Sequence, residues 1–401
     1  MKIIDGGITA PRDFLAQGVC AQIKNHTKKD VGVVYSKFPC TAAGVFTTNK
    51  VKAACVDLSS VHISNGQAQA IVVNSGNANA CTGIQGFADA HLMADCCGQL
   101  MGIQPRDVVV ASTGVIGVSL PMDRVTRGIN EACHSLSAQG SSALAEAIMT
   151  TDLVSKEIAV EITLQGMPVR IGGIAKGSGM IHPNMATMLA FITTDAAISA
   201  DCLSQLMKDS ADLSYNMISV DRDTSTNDMA VILANGQAGN RLIKHPGSED
   251  YQLFKEALDF INITLAKKIA RDGEGAQHLI EIRVINAAQE KTARIIGRSI
   301  SSSNLIKAAV FGADANWGRI LAAAGYSGAE FNSYSTDLYL GDEKVVEDGL
   351  GLPFDESRAR QALEQDTVVI TLDLKAGPFS ATAWGCDLTY DYIKINADYR
   401  S

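Results

Sequence analysis

The sequence contains no pair of cysteines spaced Cys-x-x-Cys, although it has nine cysteines in all. An odd number of scattered cysteines argues against both a disulfide framework and a structural zinc site. The seven histidines show neither HExxH nor any other metal-ligand spacing. We therefore expect free thiols in a reducing compartment, no metal site and no bound cofactor.

Long apolar and basic segments are also missing. No uninterrupted apolar run is long enough to span a bilayer, and the first residues, MKIIDGGITAPRDF, hold no apolar signal segment. There is no basic run, and 34 lysines and arginines against 43 aspartates and glutamates give a net charge of −9. These absences predict a cytoplasmic protein that binds neither membranes nor nucleic acids. Anionic small molecules remain candidate ligands, because one lysine can create a local positive site.

What the sequence does contain is typical of a globular chain. Hydrophobic residues make up 46% of its 401 residues and charged residues 19%, a balance that allows a large buried core. This length predicts two or three domains. Short β-rich runs alternate with amphipathic helical stretches, which predicts an α/β fold. We place a domain boundary at DGEGAQ, between a catalytic α/β domain, residues 1–277, and a smaller strand-rich α/β domain, residues 278–401.

Hydrophobic periodicity assigns the main elements of the first domain. Strands are expected at 70–73, 107–112, 157–164, 167–174 and 187–194. Helices are expected at 87–101, from Pro121 with an apolar stripe that ends at Leu136, and at 251–271 with a stripe that begins at Leu253. Ser199 is expected to cap the helix that follows the last of these strands.

The most informative stretch is KGSGMIHPNMATMLAFITT, residues 176–194, which sets a lysine, glycines and a threonine between two strand candidates. A threonine hydroxyl is a poor nucleophile unless a base removes its proton. An N-terminal threonine carries that base as its own α-amine, whose ordinary pKa of roughly 7.7–8.0 suits neutral pH. Thr187 reaches that state only if the Ala186–Thr187 bond is broken. From spacing alone, a plain β-branched strand residue is the better interpretation of Thr187.

Three further features allow both a functional and a structural interpretation. In VVVASTGVIG a buried strand runs into Thr113 and Gly114, whose backbone N–H groups could face an oxyanion, but for the isolated pattern a simple strand-to-turn junction is favoured. The acidic segment DRDTSTND does not fit an EF-hand loop, so turn capping and hydrogen bonding are expected there. His182 precedes a proline in a turn, and we assign it a structural role rather than that of a general base.

Several long motifs occur in order along nearly the whole chain. They are GVFTTN, NSGNANACTG, STGVIG, MTTD, KGSGMIHPNMATML, DTSTND, GADANWGRI and INADYRS. In this combination the sequence resembles the glutamate N-acetyltransferase/ornithine acetyltransferase (ArgJ) family of arginine biosynthesis. The resemblance implies a layered α/β fold of the N-terminal-nucleophile type, shared with self-cleaving aminopeptidases of the DmpA type.

The resemblance also implies a set of site residues. The precursor would cut itself between Ala186 and Thr187, and the fragments 1–186 and 187–401 would stay together in an α2β2 assembly. Thr187 would carry the acetyl group, while Thr113 and Gly114 would form the oxyanion hole. The residues that match the family's substrate-binding positions are Thr150, Lys176, Thr187, Glu274, Asn396 and Ser401. Ser401 stands where many relatives end in threonine, and both residues supply a hydroxyl.

The activity that the resemblance implies is a ping-pong acetyl transfer from N2-acetylornithine to glutamate, with acetyl-CoA as an additional acetyl donor. Three alternatives stay open. A monofunctional ornithine acetyltransferase would not use acetyl-CoA. A self-cleaving aminopeptidase would hydrolyse peptides, although those relatives use a serine-type nucleophile. A non-catalytic amino-acid-binding protein would remain uncut and transfer nothing.

Overall fold

The computed structural model describes residues 1–24, 27–182 and 188–398, and its strands form two sheets. The strands of the first sheet, numbered in chain order, are β1 (Lys2–Ile4), β2 (Phe14–Val19), β3 (Val31–Phe46), β4 (Gln67–Asn74), β5 (Val108–Ser112), β6 (Lys156–Leu164), β7 (Met167–Lys176), β8 (Leu189–Thr194) and β10 (Met229–Ala234). Their order is β1-β6-β7-β8-β10-β3-β4-β5, with β2 paired to β3. The pairs β4–β5 and β8–β10 are parallel and the others are antiparallel.

The second sheet follows the first along the chain, apart from one short strand. Its order is β14 (Leu350–Gly351), β13 (Glu343–Glu347), β12 (Asp337–Leu340), β15 (Thr367–Asp373), β11 (Leu279–Ala287), β16 (Phe379–Cys386) and β9 (Ile218–Ser219). Because β9 lies in the sequence between β8 and β10 of the first sheet, the chain crosses from one sheet to the other more than once.

Among the described residues, the first six α-helices of the chain cover both faces of the first sheet. The α-helices in this part of the chain are α1 (Ala54–His62), α2 (Gly83–Met101), α3 (Met122–His134), α4 (Ser141–Ala147), α5 (Ala200–Leu213), α6 (Glu249–Arg271), α7 (Glu290–Ser301), α8 (Asn304–Phe311), α9 (Trp317–Gly325), α10 (Glu356–Leu363) and α11 (Tyr390–Asp398). The buried apolar residues of α1–α4 form one core with one face of the sheet, and those of α5 and α6 form a second core with the other face. Helix α6 also contacts β9, β11 and β16 of the second sheet.

Strand β8 illustrates why the central strands are continuous apolar runs. Leu189 and Phe191 point into the core shared with α1–α4, whereas Ala190 and Ile192 point into the core shared with α5 and α6. A strand that is covered by helices on both faces has no solvent side, so its sequence does not alternate. Strand β8 is accordingly buried along its whole length, from Leu189 to Thr194.

Most expected elements are confirmed with shifted ends. Ser199 caps α5 by accepting a hydrogen bond from the N–H of Cys202. Two details of the expected stripes are wrong. Leu136 lies beyond the end of α3, and Leu253 on α6 is 38% exposed while its neighbour Phe254 is fully buried. The residues after 278 also contain α7–α11 beside the expected strands, and α7 and α10 pack against strands of the second sheet.

The boundary at residue 277 stays a prediction. Strand β11 starts at Leu279, close to that point, yet one core of buried apolar residues extends from α5 and α6 into the second sheet. Within the described residues, no helix is both long enough and apolar enough to cross a membrane. All nine cysteines are described and carry free thiols.

Candidate active site

One cavity of about 200 Å³ brings together the predicted site residues that the structure describes. Residues from well-separated segments line it, namely Thr113, Gly114, Thr150, Lys176, Glu274 and Asn396. The cavity is smaller than the roughly 300–1,000 Å³ of pockets for drug-sized ligands, so it suits a molecule as small as an amino acid. The other predicted residues, Ala186, Thr187 and Ser401, lie outside the described residues.

The loop that carries Gly114 is built against the loop after β4. Strands β4 and β5 run parallel, and beyond them Thr113 N–H donates to Asn74 O (3.0 Å) and Val115 N–H donates to Gly76 O (2.9 Å). Gly114 lies between these bonds at φ 127°, and a Cβ there would come within 2.3 Å of the Gly76 backbone. Only glycine fits this position. Among the described residues no group accepts the N–H of Gly114, which leaves it available to a ligand.

The oxyanion prediction needs one correction at Thr113. Its backbone N–H is already bound to Asn74 O, so only its side-chain hydroxyl remains as a donor towards the cavity. Lys176 Nζ donates to that hydroxyl oxygen across 3.3 Å. The hydroxyl hydrogen is then left for another acceptor, and the neighbouring ammonium strengthens it as a donor. Thr113 and Gly114 therefore offer one side-chain O–H and one backbone N–H to the cavity, instead of two backbone N–H groups.

Lys176 is the cation of the cavity. It ends β7 and is only 8% exposed. Burial lowers the pKa of Lys176 below the ordinary lysine value, and Lys156 acts in the same direction, while Asp152 and Glu274 oppose the shift. A buried ammonium with unfilled donor capacity is suited to bind a carboxylate.

A buried cluster of charged side chains binds the backbone next to Lys176. Lys156 Nζ is fully buried and lies 2.7 Å from Asp152 Oδ1 and 2.6 Å from Asp272 Oδ2. Asp152 also accepts the N–H groups of Gly177 (2.7 Å) and Thr150 (3.1 Å). Burial alone would raise the pKa of Asp152, but the nearby lysines outweigh burial and lower it to about 2. Asp152 is therefore a carboxylate that joins the Thr150 and Gly177 segments.

Glu274 and Asn396 form another part of the cavity wall. Glu274 follows α6 and is 7% exposed, and its Oε2 accepts a hydrogen bond from Asn396 Nδ2 on α11 (2.8 Å). A Cβ at Gly179 would lie 2.4 Å from the Glu274 carboxyl group, so the glycine makes room for this side chain. Glu274 thus places a carboxylate in the same cavity as the Lys176 ammonium.

The acidic segment acts as a hydrogen-bonding segment, as expected. Asp221 accepts the N–H groups of Met180 (2.6 Å) and Ile181 (2.8 Å), and both Asp221 and Asp223 line the cavity. In the described residues no group of three or more His, Cys, Asp or Glu side chains is arranged to hold a metal ion. His182 contacts Ser219 Oγ (3.0 Å), and burial lowers its pKa to about 4, with Arg298 and Arg222 acting in the same direction.

The sequence patterns give no sign of several of these residues. Asp152 lies in the MTTD motif, but the resemblance implies a role only for Thr150 of that motif. Lys156 lies just before the expected strand 157–164 and Asp272 begins the DGEGAQ segment, and the sequence patterns give neither residue a role. A buried ion cluster depends on segments more than a hundred residues apart, so periodicity in the sequence carries no signal for it.

With the geometry in place, the comparison with known proteins decides the family. The model of the ArgJ family matches residues 15–401. This chain belongs to the ArgJ family. The arginine biosynthesis bifunctional protein ArgJ of Symbiobacterium thermophilum is 56% identical over 403 residues, which cover 100% of both chains. ArgJ 1 of Clostridium acetobutylicum is 54% identical over 406 residues, covering 100% of this chain and 99% of that one.

A solved ArgJ structure supports the fold. The crystal structure of the arginine biosynthesis bifunctional protein ArgJ from Bacillus halodurans is 45% identical, with a TM-score of 0.52. That chain is covered in full and matches 53% of this chain. The resemblance to the ArgJ family and the layered α/β architecture are both confirmed.

Proposed function

We propose that this ArgJ-family chain transfers the acetyl group of N2-acetylornithine to glutamate, giving ornithine and N-acetylglutamate. The observation that carries the proposal is the presence of Lys176 and Glu274 in one cavity of amino-acid size. The Lys176 ammonium binds the α-carboxylate of the substrate, and the Glu274 carboxylate meets its ammonium end. The names of the relatives place those proteins in arginine biosynthesis, and we propose the same pathway here.

The proposed nucleophile is Thr187, freed by cleavage of the Ala186–Thr187 bond. In self-cleavage, the Thr187 hydroxyl attacks the Ala186 carbonyl, and water hydrolyses the resulting ester. The length of the solved relative supports this step. The Bacillus halodurans chain matches 53% of this chain, and a fragment from residue 187 to residue 401 would also be just over half.

Acetyl transfer then proceeds in two halves. Thr187 Oγ attacks the acetyl carbonyl of N2-acetylornithine, and the α-amine of Thr187 takes the hydroxyl proton. The Thr113 hydroxyl and the Gly114 N–H stabilise the oxyanion, and ornithine leaves with that proton on its nitrogen. The amine of glutamate then attacks the acetyl-threonine ester, which restores the Thr187 hydroxyl and releases N-acetylglutamate.

Acetyl-CoA is proposed as a second acetyl donor, without any bound cofactor. The relatives are named bifunctional, which supports this use. A cavity of about 200 Å³ admits the acetyl-thioester end, while the bulk of the donor lies outside it. We also propose that the two fragments assemble as α2β2, that Asn396 and Ser401 bind substrate from the C-terminal segment, and that the enzyme works in the cytoplasm.

The decisive experiment combines the intact mass of freshly purified protein with N-terminal sequencing and two acetyl-transfer assays. Two fragments, one beginning Thr187-Met188-Leu189, and transfer from both donors are expected. Transfer from N2-acetylornithine alone would indicate the monofunctional enzyme. Peptide hydrolysis without transfer would indicate the aminopeptidase, and an uncut chain that binds ornithine but transfers nothing would indicate a binding protein.

A further inference from the structure

The side chain of Asn227 connects the loops on either side of the oxyanion site. Its Nδ2 donates to the carbonyl oxygens of Ala78 (2.5 Å) and Ser112 (2.8 Å). Ala78 lies in the loop after β4, and Ser112 ends β5 directly before Thr113. Asn227 is 4% exposed and lies at the cavity wall, just before β10. One amide group therefore contacts both loops that shape the Thr113–Gly114 segment.

The orientation of this amide follows from its partners. The Thr226 hydroxyl donates to Asn227 Oδ1 (2.5 Å), which marks that atom as the acceptor. A reversed amide would set an oxygen against the two carbonyl oxygens of Ala78 and Ser112, which cannot donate. Both N–H bonds of Nδ2 are consequently used, one on each loop.

The peptide geometry explains what this contact controls. The Ser112 carbonyl and the Thr113 N–H belong to one planar peptide unit, so bonds from Asn227 and to Asn74 fix that plane at both ends. On the other side, Ala78 N–H donates to Val115 O (2.9 Å). The flexible Gly114 lies between these two fixed points. A glycine has no side chain that restrains its own backbone, so the direction of its N–H depends on hydrogen bonds made by its neighbours.

We propose that Asn227 is a positioning residue that aims the Gly114 N–H and the Thr113 hydroxyl at the oxyanion. The proposal rests on the proposed function, since it assumes a reaction that passes through a tetrahedral oxyanion. It also gives the DTSTND and NSGNANACTG motifs a role that binding of substrate does not require. Donors that are fixed in advance stabilise the transition state more than the bound substrate. Loss of Asn227 should therefore lower kcat much more than it raises KM.

Asn235 offers a matched control at the other end of β10. It is also buried, at 7% exposed, and its Nδ2 also donates to two oxygens, Arg12 O (2.8 Å) and Ser36 Oγ (3.3 Å). Asn235 is not among the residues that line the cavity. The same substitution at the two positions removes the same kind of buried amide. Only the amide of Asn227 binds the loops on either side of the oxyanion site.

The experiment compares wild type, Asn227→Ala and Asn235→Ala. For each protein we would measure the rate of self-cleavage after cell-free synthesis, the kcat and KM of acetyl transfer for the cleaved form, and the dissociation constant of ornithine. Thermal unfolding is measured in a Thr187→Ala background, in which a single chain unfolds. Asn227→Ala should lose about 10-fold or more in kcat, against the 10²–10³ reported for complete removal of an oxyanion donor. Its KM and its ornithine dissociation constant should change less than about threefold.

The outcomes separate this inference from the proposed function. A wild-type protein that neither cleaves nor transfers acetyl groups contradicts the proposed function itself. If wild type is active and both variants lose kcat to the same extent, or Asn227→Ala raises KM instead of lowering kcat, the positioning role is wrong. If Asn227→Ala remains uncut, its cleavage rate replaces kcat, because self-cleavage passes through the same kind of oxyanion. Normal cleavage by Asn235→Ala then supports the inference, and equal failure of both variants contradicts it.

Discussion

The Lys176 ammonium nitrogen lies 3.3 Å from the hydroxyl oxygen of Thr113, so the cation that we assign to the substrate carboxylate also touches the proposed oxyanion donor. This contact joins β7 to the loop after β5, two segments that are 63 residues apart in sequence. The group proposed to bind the substrate carboxylate and the group proposed to stabilise the oxyanion are therefore in direct contact.

Replacing Thr187 with alanine should stop both self-cleavage and acetyl transfer, because one hydroxyl serves both reactions. Transfer should fall by at least about 10³-fold, as expected for loss of a covalent nucleophile. Intact mass and the N2-acetylornithine assay measure the two effects. Thr193→Ala, which removes a hydroxyl within β8 that bonds to Ile8 O, is the control and should still cleave. Survival of either reaction in Thr187→Ala would break the proposed link between them.

Substrate affinity should weaken with rising pH earlier than an ordinary lysine would allow. Burial lowers the pKa of Lys176, so its positive charge is present at low pH and is lost as pH rises through that lowered value. Loss of the charge removes the partner of the substrate carboxylate, and KM for N2-acetylornithine should then rise. Steady-state KM values measured from neutral pH to about pH 10, near the ordinary pKa of lysine, test this expectation.

The variant Lys176→Gln isolates the contribution of the charge. It should raise KM by about 10–100-fold, the value of a charge-assisted hydrogen bond of roughly 1.5–3 kcal/mol. It should also abolish the rise in KM at alkaline pH. An alkaline rise in KM that persists in Lys176→Gln would assign the titration to another group.

Acid should destabilise the fold through Asp152. The folded state holds the pKa of this carboxyl at about 2, below the ordinary value of 3.8. A depressed pKa stabilises the native state at pH values above the ordinary pKa, and that stabilisation is lost as pH falls from about 4 towards 2. Urea unfolding at several pH values, in the uncut Thr187→Ala background, measures the free energy of unfolding.

The matched variants for this test are Asp152→Asn and Asp366→Asn. Asp152→Asn should be less stable than its parent at neutral pH. The difference in the free energy of unfolding should shrink as pH falls from about 4 towards 2. Asp366 pairs with Arg271 on the surface and is 75% exposed, so Asp366→Asn should change stability by less than about 1 kcal/mol. A constant difference between Asp152→Asn and its parent across the window would contradict the assignment.

Gly179→Ala should weaken substrate binding while leaving the fold nearly intact. The new Cβ would lie 2.4 Å from the Glu274 carboxyl group, which is the mobile end of a side chain and can move away. The carboxylate would then leave Asn396 and the substrate ammonium, so KM should rise about 10-fold or more through loss of a charge-assisted contact. Gly325→Ala on α9 meets no atom within 4 Å and is the control. A KM unchanged by Gly179→Ala would show that Glu274 does not bind substrate.

Much of the fold was predictable from local patterns. Apolar periodicity predicts the strands β4, β5, β6, β7 and β8 and the helices α2, α3 and α6, and a single residue type predicts the Ser199 cap. Errors arose where tertiary packing overrode the pattern. Leu253 fits the expected stripe of α6 but is exposed, because the second sheet and α5 select a slightly different face that buries Phe254.

The sequence by itself determined the family, the order of the motifs and the residue types that can do the chemistry, because those features are local or are matched position by position. Only the tertiary structure decided that Lys176, Glu274 and Asn396 share one cavity, that Thr113 offers its hydroxyl instead of its N–H, and that Asn227 holds the Gly114 loop. The physical reason is that backbone periodicity acts over a few residues, whereas these contacts join segments tens to hundreds of residues apart. Their partners are set by the path of the chain through two sheets, which no local pattern specifies.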